Sequence, residues 1–285
     1  MPELPEVETV VRSLHRTIVG KTIKSVVVLW PKLARPSSAI LSLRAKNKKV
    51  IKVRRRAKLI IIALASGDFL VVHLKMTGQL IYQSVAGQLS GGGHPIKDLD
   101  SVPNRFTYIT FTFQDGSHLY FNDVRKFGYI KVVSASELKK IEAEYGPEPL
   151  IDLSSDHLVA ARLRRPKAKI KQLIMDQSVV AGVGNIYADE ALFAAGILPS
   201  HPLGKLSNSQ LKKLILEIKK VLQKSILQGG TSFNTFRSAG GEVGQFRAKL
   251  KVYGRGGQAC LKCKTKLKTA RVGGRGTVYC PKCQK

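Results

Sequence analysis

The chain reads as an α+β multidomain protein, and three observations say so. After one opening helix, short β-branched and aromatic runs broken by turn residues fill residues 24–133. Beyond Gly146-Pro147-Glu148-Pro149 the apolar period becomes helical, and all four cysteines lie beyond residue 259. A length of 285 residues suffices for two compact domains and a small appended module. The expected divisions are 1–134, 135–245 and 246–285.

The opening helix covers residues 6–19, where Val7, Val10, Val11, Leu14 and Ile18 form one stripe and Gly20 supplies a stop. Pro2 and Pro5 precede it. Runs 59–65 and 69–74 flank Ser66-Gly67-Asp68, and runs 106–113 and 118–121 flank Asp115-Gly116, so both pairs read as hairpins of a mostly antiparallel domain. Residues 84–104 contain Gly91-Gly92-Gly93 and little apolar periodicity, which suggests a mobile loop or an insertion. Helical patterns then occupy 155–163, 170–175, 189–195 and the long amphipathic 209–227, stopped by Gly229-Gly230. A polar stretch, 231–245, leads into the cysteine module, and no internal repeat is present.

Forty-eight Lys+Arg against nineteen Asp+Glu leave 48 − 19 = +29, on a composition that is 44% hydrophobic. Such a chain is globular, so its excess charge lies on a folded surface and invites a polyanion. The longest apolar run, residues 59–65, is strand length and far short of a membrane span. A peripheral membrane protein would concentrate its cations on one helix or tail, whereas here they are spread along the chain, as suits the regular phosphates of nucleic acid. Met-Pro-Glu-Leu-Pro-Glu at the start carries no secretory pattern, so a soluble, intracellular protein is expected.

Cys260-x2-Cys263, sixteen residues, then Cys280-x2-Cys283 has the spacing of a four-thiolate zinc site. Two disulfides or a redox dithiol are the alternatives. The first is disfavoured in the cytosol, and the second leaves one pair without a purpose. With every position filled by protein, the single zinc is expected to be structural. Between the pairs, residues 269–279 with Gly273-Gly274 read as a hairpin bearing Arg271 and Arg275, either solvated or held for a purpose.

An initiator methionine before proline is commonly trimmed, which leaves Pro2 as a secondary amine. A free α-amino group titrates near about 8, against about 10.4 for lysine, so more of it is unprotonated at neutral pH. Proline attacking a sugar aldehyde carbon gives a charged iminium directly, an electron sink for elimination, and Glu3 stands beside it as a general acid or base. The bland alternative is a helix start, capped or solvated by Glu3.

The combination of motifs decides between these readings. Met1-Pro2-Glu3-Leu4-Pro5-Glu6-Val7-Glu8-Thr9, Arg54-Arg55-Arg56-Ala57-Lys58, His73-Leu74-Lys75-Met76-Thr77-Gly78, Asn122-Asp123-Val124-Arg125-Lys126-Phe127-Gly128, Gly182-Val183-Gly184-Asn185-Ile186-Tyr187 and Gly274-Arg275-Gly276-Thr277 occur in this order. Together they resemble the formamidopyrimidine-DNA glycosylase family over nearly the whole chain, and Leu4 resembles that branch more than the endonuclease VIII branch.

The resemblance implies an N-terminal β-sandwich flanked by helices, a helical domain with a helix-two-turn-helix motif, and a C-terminal four-cysteine zinc finger, with duplex DNA across the cleft between them. It implies a monomeric bifunctional DNA glycosylase and abasic-site lyase acting on double-stranded DNA that contains oxidised bases. Pro2 would be the nucleophile at C1′, Glu3 the proton carrier, Lys58 the contact to the reacting nucleotide's phosphate, and Arg275 the finger's grip on the backbone around the flipped nucleotide. Met76, Arg125 and Phe127 correspond to the wedge that fills the gap left by that nucleotide: a flexible thioether, guanidinium donors for the widowed cytosine, and a stacking ring. Core packing is the plain alternative for Met76 and Phe127. Asn185, at a helix N-terminus, and Lys167 and Lys171 just upstream are phosphate contacts on this reading, or a solvated face on the plain one.

Family members commonly carry Lys-His-x-His where this chain has Arg105-Phe106-Thr107-Tyr108, so a DNA contact is lost there or passes to Arg105. With the 84–104 stretch and a variant 233–246 segment, this departure bears on lesion preference. The rival functions are a non-catalytic DNA-binding protein of the same fold and an endonuclease VIII-like glycosylase for oxidised pyrimidines.

Overall fold

The structure, a computed structural model, describes residues 1–93, 102–231 and 246–285. By their contacts the residues group into two units, Met1–Glu142 with Gln228–Arg247, and Ala143–Leu227 with Ala248–Lys285.

The first unit begins with helix α1 (Leu4–Ile18). Strand β1 (Ile23–Val28), the short β2 (Ala34–Arg35), helix α2 (Ser38–Ala45) and strands β3 (Val50–Arg56), β4 (Leu59–Leu64), β5 (Phe69–His73), β6 (Gly78–Gln83), β7 (Leu89–Gly93), β8 (Thr107–Phe113), β9 (His118–Asp123) and β10 (Tyr129–Val133) follow. They make two five-stranded sheets, β1-β8-β9-β6-β7 and β2-β10-β5-β4-β3. One apolar cluster joins them: Leu80, Ile109, Phe111 and Phe121 from the first sheet, Val53, Ile60, Ile62, Val72 and Ile130 from the second, and Val7, Val10, Val11 and Leu14 from α1. This is the expected sandwich, with its inner faces buried by strict alternation, as in β8. Both expected hairpins form, with Ile60 opposite Val72 and Phe111 opposite Leu119.

Helix α1 starts two residues earlier than its apolar stripe suggests. Glu3 and Glu6 cap it reciprocally and Pro5 sits in the first turn, where its missing N–H costs nothing. Within the stretch expected to be a loop, residues 89–93 instead form β7, with Gly92 opposite Leu80 on β6. The glycines are there because the strand is pressed on its neighbour: Gly91 has φ +132°, and a Cβ on it would lie 2.1 Å from the Leu80 carbonyl oxygen. A strand in which three residues of five are glycine has no hydrophobic period to read. The remainder, 94–101, and nearly all of the variant 233–246 segment lie outside the described residues.

Helix α3 (Ala135–Ala143) ends the first run of chain. The second unit holds helices α4 (Ser155–Arg164), α5 (Ile170–Met175), α6 (Asn185–Ala195) and α7 (Asn208–Leu227), then the hairpin β11 (Lys268–Val272) and β12 (Arg275–Tyr279). Helix α6 starts at Asn185, ahead of the 189–195 pattern. It is apolar on nearly every side, packs on α7, bonds Tyr187 to Ser225, and stops at left-handed Gly196. Among the described residues no helix is long and apolar enough to cross a membrane.

Candidate active site and nucleic-acid interface

Pro2 and Glu3 are buried at the head of α1, behind a Met1 that is 51% exposed. Glu6 organises this terminus. Its Oε2 accepts the Glu3 N–H at 2.9 Å, and its Oε1 accepts the N–H and hydroxyl of Thr231 at 2.8 and 2.9 Å. The sequence alone assigns a cap only to Glu3 and no role to Glu6, whose partner Thr231 lies 225 positions away.

The basic run 54–58 divides in two. Arg54 pairs with Glu142 at 2.6 Å, Arg55 with Glu8 at 3.1 Å, and Arg56 donates to the Glu142 carbonyl. These arginines fasten α1 and α3 to β3. Ala57, at φ +50°, turns the chain, and Lys58 follows, only 6% exposed. His73 on β5 stands in register opposite Leu59 and Tyr129. Its burial, then the positive charges of Lys75 and Lys58, hold the imidazole down at about 3, so it is neutral at physiological pH. Its Nδ1 accepts the Lys75 N–H at 2.9 Å, leaving the proton on Nε2. In the sequence His73 only opens the 73–78 motif, with no role of its own.

Met76, Arg125 and Phe127 come together on the surface of this unit rather than in its core. Met76 is 39% and Phe127 51% exposed. An Arg125 Nη1 lies 2.9 Å from the Met76 sulfur, and the guanidinium stands 4.6 Å from the Phe127 ring centre. The fully buried Asp123 carboxylate holds the cluster. One oxygen accepts the Thr77 hydroxyl and the Arg125 N–H, and the other accepts the N–H groups of Phe127 at 2.9 Å and Gly128 at 2.7 Å. A Cβ at position 128 would lie 2.8 Å from the Phe121 ring and 3.1 Å from that carboxylate, so only glycine closes the turn. Asp123 thereby joins two motifs that look independent in sequence. Arg105 is exposed, its guanidinium 4.7 Å from the Phe106 ring.

In the second unit Lys167 is exposed between α4 and α5. Lys171 departs from the expectation of a phosphate contact or a solvated face. It is fully buried, its Nζ 2.6 Å from an Asp189 oxygen, donating to the Thr277 hydroxyl at 2.7 Å and the Gly276 carbonyl at 3.2 Å. Asp189 also accepts the Val278 N–H, and burial pushes its carboxyl up to about 6 against the pull of Lys171. Asn185, at the start of α6, donates its amide to the Gly276 carbonyl at 3.0 Å. Glu190 accepts the N–H groups of Lys251, Val252 and Tyr253, so α5 and α6 grip both ends of the terminal module. Arg271 and Arg275 remain exposed on its hairpin.

The sulfurs of Cys260, Cys263, Cys280 and Cys283 lie within 4.8 Å of one another, with Cys263 to Cys280 at 3.4 Å and Cys260 to Cys283 at 4.0 Å. Tetrahedral zinc with bonds of about 2.3 Å sets its sulfurs about 3.8 Å apart, so the cluster fits the ion. Desolvation, then hydrogen bonding to the other three cysteines, pushes the Cys283 thiol up to about 12, while hydrogen bonds to Thr265 hold the Cys263 thiol down at about 6. The local apolar cluster is small, with Val252, Cys260, Leu267 and Cys280 at its centre. The four cysteines make a structural site for one zinc.

A sandwich bearing a buried N-terminal Pro-Glu pair, a helical part and a four-cysteine finger together define a class of DNA-repair proteins. Family models agree part by part: the formamidopyrimidine-DNA glycosylase N-terminal domain matches residues 1–130, its H2TH domain residues 145–237, and the zinc finger found in FPG and IleRS residues 257–285. The chain is 39% identical over 289 residues to the formamidopyrimidine-DNA glycosylase of Geobacillus kaustophilus (strain HTA426), covering all of both chains. It is similar to the Lactococcus lactis Fpg in complex with abasic site containing DNA (TM-score 0.87, 32% identity, 99% of each chain). A mutant of that FPG in complex with Fapy-dG containing DNA matches with TM-score 0.88 and 33% identity over 100% of each chain. The chain belongs to the formamidopyrimidine-DNA glycosylase family.

Proposed function

We propose that the chain is a bifunctional DNA glycosylase and abasic-site lyase that removes oxidised purines, 8-oxoguanine and formamidopyrimidines, from duplex DNA. The observation that carries this reading is the N-terminus: a proline imino nitrogen, once Met1 is removed, at the capped head of a helix whose first turn is locked by Glu6. Pro2 attacks C1′ of the damaged nucleotide and the bond to the base breaks. The resulting iminium draws electrons through successive β and δ eliminations, leaving a one-nucleotide gap with phosphate ends. Glu3 carries protons to and from sugar and leaving base. No dissolved cofactor is needed, and the zinc bound by the four cysteines keeps the finger folded.

DNA is held by charge and by amide donors. Lys58 meets a backbone phosphate, and so do Arg105, Lys167, Asn185 and Arg275. Met76, Arg125 and Phe127 act as the wedge, their exposure on the surface of the first unit favouring that role over core packing. The protein works as a monomer in the cytoplasm on this reading, with working domains 1–134, 135–245 and 246–285. The similar Lactococcus lactis complexes with abasic site and Fapy-dG containing DNA support the substrate class.

The test is borohydride trapping on an abasic duplex. The mature protein should form a covalent product, and a retained N-terminal extension should abolish it while leaving salt-dependent binding intact. Cleavage that survives the extension overturns the nucleophile, and binding without any trapped product reduces the protein to a duplex binder. Competitive excision of 8-oxoguanine opposite cytosine against thymine glycol decides purine from pyrimidine.

A further inference from the structure

Trp30 is the only tryptophan in the chain, and it is 36% exposed. It follows β1, where the Leu29 N–H bonds the Tyr108 carbonyl and Pro31 opens a short 3-10 turn. The rings of Trp30 and Tyr108 are 6.3 Å apart and tilted by 54°. The Lys126 ammonium stands 3.7 Å from the Trp30 ring centre and 5.1 Å from that of Tyr108. Lys126 belongs to the turn that presents Arg125 and Phe127, and its backbone is left-handed at φ +56°.

No carboxylate pairs with Lys126 among the described residues. Asp123, the acid of this turn, is buried with both oxygens occupied. The result is an exposed indole and a phenol ring bearing an unneutralised ammonium, beside a second exposed cation, Arg125. A cation on an aromatic face keeps its outward N–H donors, and aromatic rings set beside cations are what nucleic-acid grooves that track the backbone combine. A partner that suits it alternates apolar C–H faces with single negative charges. The sugar–phosphate backbone of DNA does so, whereas an acidic protein surface offers no regular apolar face.

We propose that Trp30, Tyr108 and Lys126 form a backbone-binding platform on DNA beside the Arg125–Phe127 turn, the rings packing on deoxyribose and the ammonium meeting a phosphate. The platform is independent of base sequence and lies where this chain departs from the family's Lys-His-x-His run. It rests on the reading that the Arg125–Phe127 face meets DNA.

Because Trp30 is the sole tryptophan, emission of the unaltered full-length protein reports this residue alone. Its quenching by acrylamide is measured with and without a saturating duplex carrying a tetrahydrofuran abasic analogue, saturation being followed by anisotropy of the labelled DNA. Bound DNA should lower the quenching constant at least twofold. Trp30→Ala should weaken binding about fivefold or more, and Lys126→Gln should reduce the salt slope by about one phosphate contact. Unchanged acrylamide access at saturation overturns the platform. Protection of Trp30 without borohydride trapping keeps the platform and removes the role of Pro2; trapping with an accessible Trp30 does the reverse.

Discussion

Two exposed arginines, Arg125 and Arg275, are presented by opposite means. The turn of Arg125 grows from a sandwich whose main apolar cluster draws on both sheets and α1, and one buried carboxylate fixes its backbone through N–H donors. The hairpin of Arg275 has only a small apolar cluster beneath it and is held by the four cysteines, by Lys171 with Asp189, and by Glu190. A large core supplies stability by buried area, so a buried carboxylate such as Asp123 can be spent on aiming side chains. A small module lacks that area and takes its rigidity from a metal and a buried ion pair. The second arrangement is therefore the one that chelation and pH should disturb.

The sharpest break is removal of zinc. Zinc binding in small fingers is worth about 10–16 kcal/mol at neutral pH, so a strong chelator should melt the terminal module while the sandwich stays folded. Hydrogen exchange should show lost protection confined to residues 248–285 and preserved protection in β4, β5 and β8. Equal loss in both regions would mean that the metal supports more than the finger.

Next in size is Lys171→Met, which leaves the Asp189 charge buried without its cation and should cost about 3–5 kcal/mol. The sign with pH is fixed by Asp189. Its folded pKa, about 6 with Lys171 present, already exceeds the ordinary carboxyl value, and losing the cation raises it further. The folded variant then binds a proton over a window reaching above pH 6, so its stability falls as pH rises through that window. The deficit relative to the unaltered protein should be larger at pH 8 than at pH 5 in urea unfolding. A deficit independent of pH would show that Asp189 is not the group left stranded.

Much of this was legible in the sequence, and the exceptions share a cause. The cysteine spacing specifies its own geometry, and the alternation in β8 names its inner face. Lys171, by contrast, looks like any lysine in a basic run, because its burial depends on Asp189 and Thr277, distant in sequence. β7 was hidden because its glycines erase the side-chain period that strand reading needs. Glu6, Asp123 and Glu190 are acids that accept mostly from backbone N–H groups, and a backbone donor leaves no mark in the residue alphabet. Pro2 and Glu3 stand out in the sequence as candidates, while the bond from Glu6 to Thr231 leaves no mark there.

The smallest and most discriminating change is Asp123→Asn. The amide keeps the shape but offers one acceptor oxygen and an NH2 group, where the carboxylate meets four donors. Whichever way it turns, one pair faces donor to donor, at about 1–3 kcal/mol for a buried unsatisfied group. The loss falls on the turn carrying Arg125 and Phe127 and on Thr77 beside Met76, leaving α1 and its proline untouched. Excision of a base from intact duplex, which on our reading needs the wedge to evict it, should fall about tenfold or more. Strand cleavage at a preformed abasic site, where no base remains to be evicted, should change less than threefold, consistent with unstacking costs of a few kcal/mol. Equal losses in both assays would make Asp123 a general support of the fold and detach the wedge turn from base eviction.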